Sequence, residues 1–504
     1  MKKKYVRWTL WTIASPFILF VILCILIYLP PIQNFLVDKA AVYASETTGM
    51  NISVGRISLS FPLNLVVTDV DAASPHNDTL LSVRRLQVNV QLLPLLKKQV
   101  EVDGISLQGA TVNSNDLIHG MKLNGTLGEL FISSHGVALD PETAIVNKVL
   151  LKDTDLSLCL NDTAAADTAA SDTTYWKIIL QDIDLQNVSF ALDMPLDSLS
   201  LAASLDNAIL RDGLIDLHKS AYSLQTFRIK NGRVRYDSGK PLAADSLPSG
   251  LDPSHIALTD IGVKLDSLYY EGRNMKAIIS QFVLKERSGV EIVSATGRMV
   301  SNDKVLRVPS LKLETRDSYL ELNAAMDWNA LDFKGEGLMS ARLMADIGKP
   351  DVVRFMGRMD EKFVRQYPSE PLRIRTGIDG DLNKLKLTTL TAELPGALGL
   401  FARGELTHLT DSLLRGGDIT LEAETKDLKF VSTLAEGIEI PYGTRLEGKF
   451  TMAGAKMGTD LLLMQPEAQA VAAADTIPIT VYNDSISVAD DFKMERAARL
   501  FAKY

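Results

Sequence analysis

The sequence predicts a mainly β fold in which one N-terminal transmembrane helix precedes an elongated array of strands. Three observations lead to this prediction. The 22 residues from Trp8 to Leu29 include no charged side chain. Beyond Gly49 apolar and polar residues alternate with period two, which is typical of strands with one solvent-exposed face. Long helical stretches are nearly absent before the C-terminus, so the βαβ rhythm of a Rossmann-like enzyme is missing.

Residues 8–29 are predicted to span a membrane as a retained anchor. At about 1.5 Å rise per residue they reach roughly 33 Å, enough to cross the hydrocarbon core of a bilayer. The preceding tail, residues 1–7, carries four basic side chains, so the positive-inside rule leaves it in the cytoplasm. A cleaved signal peptide is the alternative, but its apolar region is usually shorter and ends in a small-residue cleavage site. The aromatic residues assigned to the anchor are Trp8, Trp11, Phe17, Phe20 and Tyr28.

A second, shorter helix is predicted over residues 30–48. Pro30 and Pro31 can open a helix, and apolar residues then recur at helical spacing until Gly49. This amphipathic helix either lies at the outer membrane face or caps the end of the sheet, and the two interpretations are compatible.

The strand-rich remainder could form a sandwich, a barrel or an elongated stack, and internal similarity favours the stack. One short strand per ~10 to 14 residues would give on the order of 30 strands. The segments around Ile105 and Ile183 resemble each other, and related segments are spaced alternately by 44 and 34 residues. In a stacked sheet the repeated positions would form one aliphatic stripe. They are Ile105, Leu107, Val149, Leu151, Ile183, Leu185, Phe227, Ile229, Ile261 and Val263.

Composition disfavours several other classes of protein. With 53 basic and 62 acidic residues the net charge is −9, so no basic surplus suggests nucleic-acid binding. The 2 cysteines cannot build a disulfide scaffold. The 6 histidines are scattered without metal-ligand spacing, and no catalytic motif is present. Pairs of aspartates such as Asp153 with Asp155 could bind a cation or serve acid–base chemistry, but solvation of the outer strand face is the favoured interpretation. We therefore expect a non-enzymatic protein without metal or cofactor.

Several segments resemble the AsmA-like family, specifically its TamB branch, over roughly residues 1–463. Each segment is weak alone, and their order along the chain is more specific. They are residues 48–57 (TGMNISVGRI), 79–86 (TLLSVRRL), 92–96 (LLPLL), 102–107 (VDGISL), 376–387 (TGIDGDLNKLKL) and 402–406 (ARGEL).

The resemblance implies an inner-membrane, single-pass protein of the Gram-negative envelope with most of its chain in the periplasm. It further implies that residues 49–463 form a long antiparallel sheet curled into a groove with an aliphatic lining. Such a groove would pass phospholipid towards the outer membrane, with an Omp85-type outer-membrane barrel as partner. TamB proteins are longer and end in a characteristic domain that is not recognisable here. Residues 464–504 are therefore interpreted as an atypical tail where a longer protein has been truncated.

Three functions remain open from the sequence. An aliphatic stripe of this length either packs about 10 Å from a second sheet or stays open and shelters acyl chains. Residue composition alone supports both arrangements, and the resemblance favours the open groove of a phospholipid conduit. The alternatives are a factor for assembly or secretion of outer-membrane barrels, acting through a sheet edge, and a structural solenoid with a closed interior.

Overall fold

The computed structural model describes the long β region and short parts of its surroundings. The described residues are 39, 41–42, 45–46, 49–60, 64–74, 79–91, 102–114, 120–138, 142–161, 175–239, 250–331, 337–357, 359–411, 413–434, 443–453 and 456–464. The predicted anchor 8–29 and nearly all of the predicted tail 464–504 lie outside this set. Within it, no helix is both long and apolar enough to cross a bilayer. Residues 39, 41–42 and 45–46, from the predicted helix 30–48, are helical.

The fold is mainly β, as predicted, and its contacts divide the chain into two units. Unit 1 comprises Met1–Ala243 with Ser254–Gly272, and unit 2 comprises Ala244–Pro253 with Arg273–Tyr504. The described residues contain 22 strands rather than about 30. The prediction assumed one short strand per ~10 to 14 residues of chain. Several strands here have 18 residues each, so fewer strands account for the same length.

Unit 1 contains eleven of the described strands. They are β1 (Asn51–Ser60), β2 (Asn64–Ala73), β3 (Thr79–Val90), β4 (Val102–Asn113), β5 (Met121–Ala138), β6 (Thr143–Leu160), β7 (Lys177–Met194), β8 (Leu199–Asp216), β9 (Ala221–Leu224), β10 (Thr226–Ser238) and β11 (His255–Glu271). Strands β1 to β8 pair in chain order, β8 pairs with both β9 and β10, and these two strands pair with β11.

One strand pair in unit 1 departs from the predicted antiparallel arrangement. Strand β6 runs parallel to β7, with Val149 beside Ile183 and Leu151 beside Leu185. Parallel neighbours need a connection of a dozen or more residues, and the chain from 161 to 176 supplies one. The prediction of a wholly antiparallel sheet is therefore wrong at this one pair.

Unit 2 contains the other eleven described strands, which pair in chain order and are all antiparallel. They are β12 (Asn274–Glu286), β13 (Glu291–Ser301), β14 (Val305–Thr315), β15 (Tyr319–Asp327), β16 (Met339–Ile347), β17 (Leu372–Gly380), β18 (Lys384–Leu394), β19 (Leu398–Thr407), β20 (Gly416–Thr425), β21 (Arg445–Ala453) and β22 (Lys456–Met464). Helices α1 (Lys349–Phe355) and α2 (Glu361–Gln366) connect β16 to β17, and a 3-10 helix (Lys429–Thr433) follows β20.

The compact core of unit 2 lies at the strand ends, beneath these helices. Phe363 of α2 is 1% exposed and packs edge-on against Phe430, with ring centroids 5.8 Å apart. Tyr367 contacts both rings, at 5.4 and 5.1 Å. Leu394, Ala397 and Leu428 complete the buried cluster. Aromatic pairs of this kind add about 0.5–1.5 kcal/mol beyond the burial of area, so the cluster holds the helices against the sheet edge.

Asp351 fixes the start of α1 to the turn between β14 and β15. Its side chain is 1% exposed and accepts hydrogen bonds from the hydroxyls of Thr315 and Ser318. Arg354 donates to the other carboxylate oxygen at 3.1 Å and to Asp317 at 3.0 Å. The buried charge is therefore surrounded by donors, as a buried carboxylate requires.

Candidate functional site

The repeated aliphatic positions of unit 1 line up across its strands. In each row below, each residue is the direct partner of the next, so side chains of one row share a face of the sheet. Row A consists of Leu59, Leu65, Val88, Ile105, Ile132, Val149, Ile183, Leu210, Phe227 and Leu265. Row B consists of Ile57, Val67, Leu86, Leu107, Leu130, Leu151, Leu185, Ala208, Ile229 and Val263. No member of either row is polar.

Nine of the ten residues of the predicted stripe lie in rows A and B. The exception is Ile261, which is paired with Gly232 in a third row. The spacing of 34 residues between Val149 and Ile183 is the register of the parallel pair β6–β7. The prediction missed β5 and β8, whose residues fill the gaps in the stripe. The spacing of 44 residues leaves room for one extra strand between the copies. Apolar residues that recur every second residue in 121–127 and 199–205, apart from Gly125, are the signal for it.

Two further rows of partners lie next to row B, further along the strands and away from row A. Row C consists of Val54, Val70, Val83, Ala110, Leu127, Thr154, Val188, Leu205, Gly232 and Ile261. Row D consists of Ile52, Ala72, Leu81, Val112, Gly125, Leu156, Phe190, Ala203, Val234 and Leu258. Thr154 is the one hydroxyl in the four rows, and its Oγ1 donates to the carbonyl of Lys152.

A line of left-handed residues crosses the sheet between rows B and C. We call it the crease. The strand residues there that have positive φ are Asp69 (53°), Gly109 (62°), Asp153 (48°), Asn187 (51°) and Asn231 (53°). A left-handed residue within a strand bends it and interrupts the alternation of its side chains. Because these residues face one another or a glycine, arginine or aspartate on the neighbouring strand, the bend occurs at one level across β1 to β8 and β10. In β11 the left-handed residue is Asp260 (53°), which lies between rows C and D.

In β1 to β8 and β10, the crease keeps rows B and C on one face although they are three residues apart. In β10, Lys230 and Asn231 are both exposed, and the next residue, Gly232, is buried. A Cβ built on Gly232 would lie 3.2 Å from Cγ2 of Ile229 and 3.1 Å from Cβ of Ile261. Gly232 of row C therefore lies against the row B side chain of its own strand. Rows A to D form a single apolar surface, which we call the aliphatic face.

The opposite face of unit 1 is largely polar, and its crease residues bond to one another. Asn187 donates to Asp153 at 2.9 Å, and Asn231 donates to Asp206 at 2.8 Å. Asp184 accepts a hydrogen bond from Asn207 at 3.2 Å. These carboxylates bind neighbouring side chains, and among the described residues no group of three His, Cys, Asp or Glu side chains is placed to hold a metal ion.

Unit 2 also has an apolar face built in register. One row of partners crosses β12 to β21, and small and large side chains alternate in it except at the pair Leu313 with Leu320. It consists of Phe282, Ala295, Leu313, Leu320, Ala345, Ile374, Ala392, Leu400, Ala423 and Leu446. The other face carries cross-strand ion pairs, including Arg342 with Asp379 at 3.2 Å and Lys384 with Glu405 at 2.9 Å. All four side chains are exposed, so this face is the one in contact with solvent. Exposed ion pairs of this kind contribute little to stability.

Few aliphatic side chains of unit 1 are fully buried. The buried apolar residues in its described part are Ala72, Leu80, Val83, Ala208, Ala221 and Ile261. Ile105 of row A remains 36% exposed, and Phe190 of row D remains 38% exposed. In a closed sandwich the central leucines and isoleucines would be covered by the second sheet. Within the described residues, no second layer covers the aliphatic face.

Comparison with known proteins does not assign the chain to a family. No protein-family model matches the sequence, and no curated protein matches it.

Proposed function

We propose that this protein is a non-enzymatic phospholipid carrier of the Gram-negative envelope, anchored in the inner membrane by residues 8–29. Acyl chains would lie on the aliphatic face and move along it towards the outer membrane. The observation that supports this proposal is the open apolar surface of rows A to D. Its ten strands, about 4.8 Å apart, would extend it over roughly 43 Å.

The chemistry of the lining suits acyl chains rather than a selective ligand. Small-molecule sites usually place a few polar groups among apolar ones to fix orientation. The four rows hold one hydroxyl, that of Thr154, and it is bonded within its own strand. Each methylene transferred from water to such a surface contributes about 0.8 kcal/mol regardless of its position along the chain. The face would therefore hold acyl chains without fixing them at one place, as a carrier requires.

Phospholipid transfer between vesicles tests the proposal. The full chain is added to donor vesicles containing a fluorescent phospholipid, quenched by a second lipid, together with unlabelled acceptor vesicles. We expect faster dequenching with the wild type. Leu185→Glu, which puts a charge in the middle of row B, should abolish the increase, because a carboxylate on an apolar surface repels acyl chains. Gln186→Glu, on the opposite face of the same strand, is the matched control and should transfer lipid like the wild type.

A second candidate function is assembly of outer-membrane barrel proteins with an Omp85-type partner. The observation that favours it is that β22 pairs only with β21 among the described residues. A strand at a sheet edge can add a strand from another chain. A photo-crosslinker at Leu462, which is 55% exposed, would attach to an outer-membrane barrel if this function is correct.

A further inference from the structure

Two tyrosines end the aliphatic face of unit 1 along one margin. Tyr222 of β9 and Tyr270 of β11 are direct partners, with ring centroids 6.1 Å apart. They continue a row that starts on the neighbouring strands with Ala144, Ile178 and Ile215. Tyr222 is 40% exposed and Tyr270 is 42% exposed. Among the described residues neither phenolic oxygen has a hydrogen-bond partner, so both hydroxyls are available to a ligand.

This tyrosine row lies on the same face as rows A to D. A Cβ built on Gly213 would lie 2.9 Å from Cδ2 of Leu210, which belongs to row A, and 3.4 Å from Cβ of Leu180. Gly213 therefore faces the same way as row A. Ile215 is two residues further along β8 and shares that face, and Tyr222 is its partner. The tyrosine pair is thus the outermost part of the aliphatic face.

Polar groups follow immediately beyond this margin. The turn that joins β8 to β9 contains His218 and Lys219, both exposed. The His218 ring packs edge-on against Tyr175, with centroids 5.7 Å apart, and Tyr175 is 51% exposed. The surface therefore changes over a few residues from aliphatic, through amphipathic aromatic rings, to a cationic and imidazole-bearing turn. Amphipathic rings favour such boundaries between apolar and aqueous surroundings.

We infer that Tyr222 and Tyr270 form a headgroup subsite, where the phosphate or glycerol oxygens of a phospholipid accept hydrogen bonds from the two phenols. This inference rests on the proposed function, since it places the polar end of a lipid whose acyl chains lie on rows A and B. Those rows offer no polar partner, so a headgroup must stay at a margin of the face. The tyrosine margin supplies donors there, and Lys219 supplies positive charge that favours a phosphate.

Photo-crosslinking with mapped attachment sites tests the subsite. p-Benzoylphenylalanine replaces either Tyr222 or Leu151 in the full chain, which is then illuminated with phosphatidylethanolamine–phosphatidylglycerol vesicles. We expect the adducts at 222 to map to the headgroup and glycerol, and those at 151 to map to acyl carbons. Acyl adducts at both positions, or adducts at 151 alone, would overturn the subsite and leave the carrier intact. Adducts at neither position would overturn both proposals.

A milder pair of substitutions tests whether the two phenols bind the phosphoglycerol group, and a competition with inorganic phosphate tests whether the site instead binds free phosphate. Tyr222→Phe with Tyr270→Phe keeps both rings and removes both donors, so affinity for the same vesicles should fall about tenfold, as expected for two lost hydrogen bonds. Affinity for a fatty acid lacking the phosphoglycerol group should not change. An equal loss for both ligands would contradict the subsite. Suppression of adduct formation at 222 by millimolar inorganic phosphate added before illumination would show a phosphate site unrelated to lipid and would also overturn the subsite.

Discussion

Asn187 donates a hydrogen bond from Nδ2 to Oδ1 of Asp153 at 2.9 Å, and both residues have left-handed backbone in the middle of a strand. They face each other in the parallel pair β6–β7, between the partners Lys152 with Gln186 and Thr154 with Val188. Asn and Asp are the residues other than glycine that most readily adopt this conformation. The crease is therefore specified by short polar side chains that both tolerate the bend and bond across it.

Substitution at Asn187 should show that the bend is required. Asn187→Val should lower the free energy of unfolding by about 2–3 kcal/mol, because a β-branched residue resists left-handed backbone and the bond to Asp153 is lost. Asn187→Gly loses only the bond and should cost about 1 kcal/mol. Denaturant midpoints of the two variants measure the difference. Equal midpoints would mean that φ at this position does not limit stability.

Labelling along β5 should reveal which side chains share the aliphatic face. Regular alternation would put the side chains of Leu127 and Glu129 on the same face of the sheet. The crease instead puts Leu127 on the same face as Leu130. Single cysteines at these three positions, in a background lacking Cys24 and Cys159, are modified with a fluorophore and mixed with doxyl-phospholipid vesicles. We expect quenching at 127 and 130 and little at 129. Quenching shared by 127 and 129 would refute a single face across the crease.

Loss of the buried carboxylate in unit 2 should be costly. Asp351→Ala leaves the hydroxyls of Thr315 and Ser318 and the guanidinium of Arg354 without their acceptor. The free energy of unfolding should fall by about 3 kcal/mol. Glu361→Ala is the control, because its exposed pair with Arg365 at 2.8 Å contributes about 0.5 kcal/mol or less. Calorimetry of both variants measures the two decreases in the free energy of unfolding. Decreases of equal size would contradict this account.

Acid should loosen the loop between β19 and β20. Backbone N–H groups of Leu413 and Leu414 donate to Asp411 at 2.8 and 3.2 Å, and they lower the pKa of its carboxyl below the ordinary 3.8. His408 adds to this lowering, and partial desolvation opposes it. Since the folded pKa is depressed, the stabilisation is present above the ordinary pKa and is lost as pH falls through the folded value. Amide exchange should show protection of Leu413 and Leu414 falling in that range, and Asp411→Asn should abolish the pH dependence.

Sequence alternation predicted the strands and most of the aliphatic face but not the crease. Period two predicted one apolar face for these strands, because a strand with one apolar face must repeat every second residue. The pairing places Ile105 and Ile183 in row A, and it places Leu107 and Leu185 in row B. A crease shifts the period by one residue, and its signal is two successive polar residues, such as Lys230 and Asn231, inside an apolar alternation. That signal is weak in a single strand and becomes clear only when neighbouring strands are in register.

No comparable sequence pattern predicts the helices of unit 2 or the parallel pairing of β6 with β7. Helices α1 and α2 have seven and six residues, too few to show helical periodicity. Phe363 and Tyr367 are buried by contacts with Phe430, more than sixty residues later in the chain, which no local pattern encodes. The direction of β7 relative to β6 depends on the path of a long connection, and the residues of the strands themselves suit either direction.

The amount of phospholipid bound to the purified protein tests the central claim most directly. The full chain is extracted from membranes, freed of detergent in the last step, and its lipids are counted per chain by mass spectrometry. The proposal predicts at least one phospholipid per wild-type chain and a strong reduction in the variant carrying both Leu151→Glu and Leu185→Glu. A wild-type protein that carries no phospholipid, or a variant that retains the wild-type amount, would contradict an aliphatic face that shelters acyl chains.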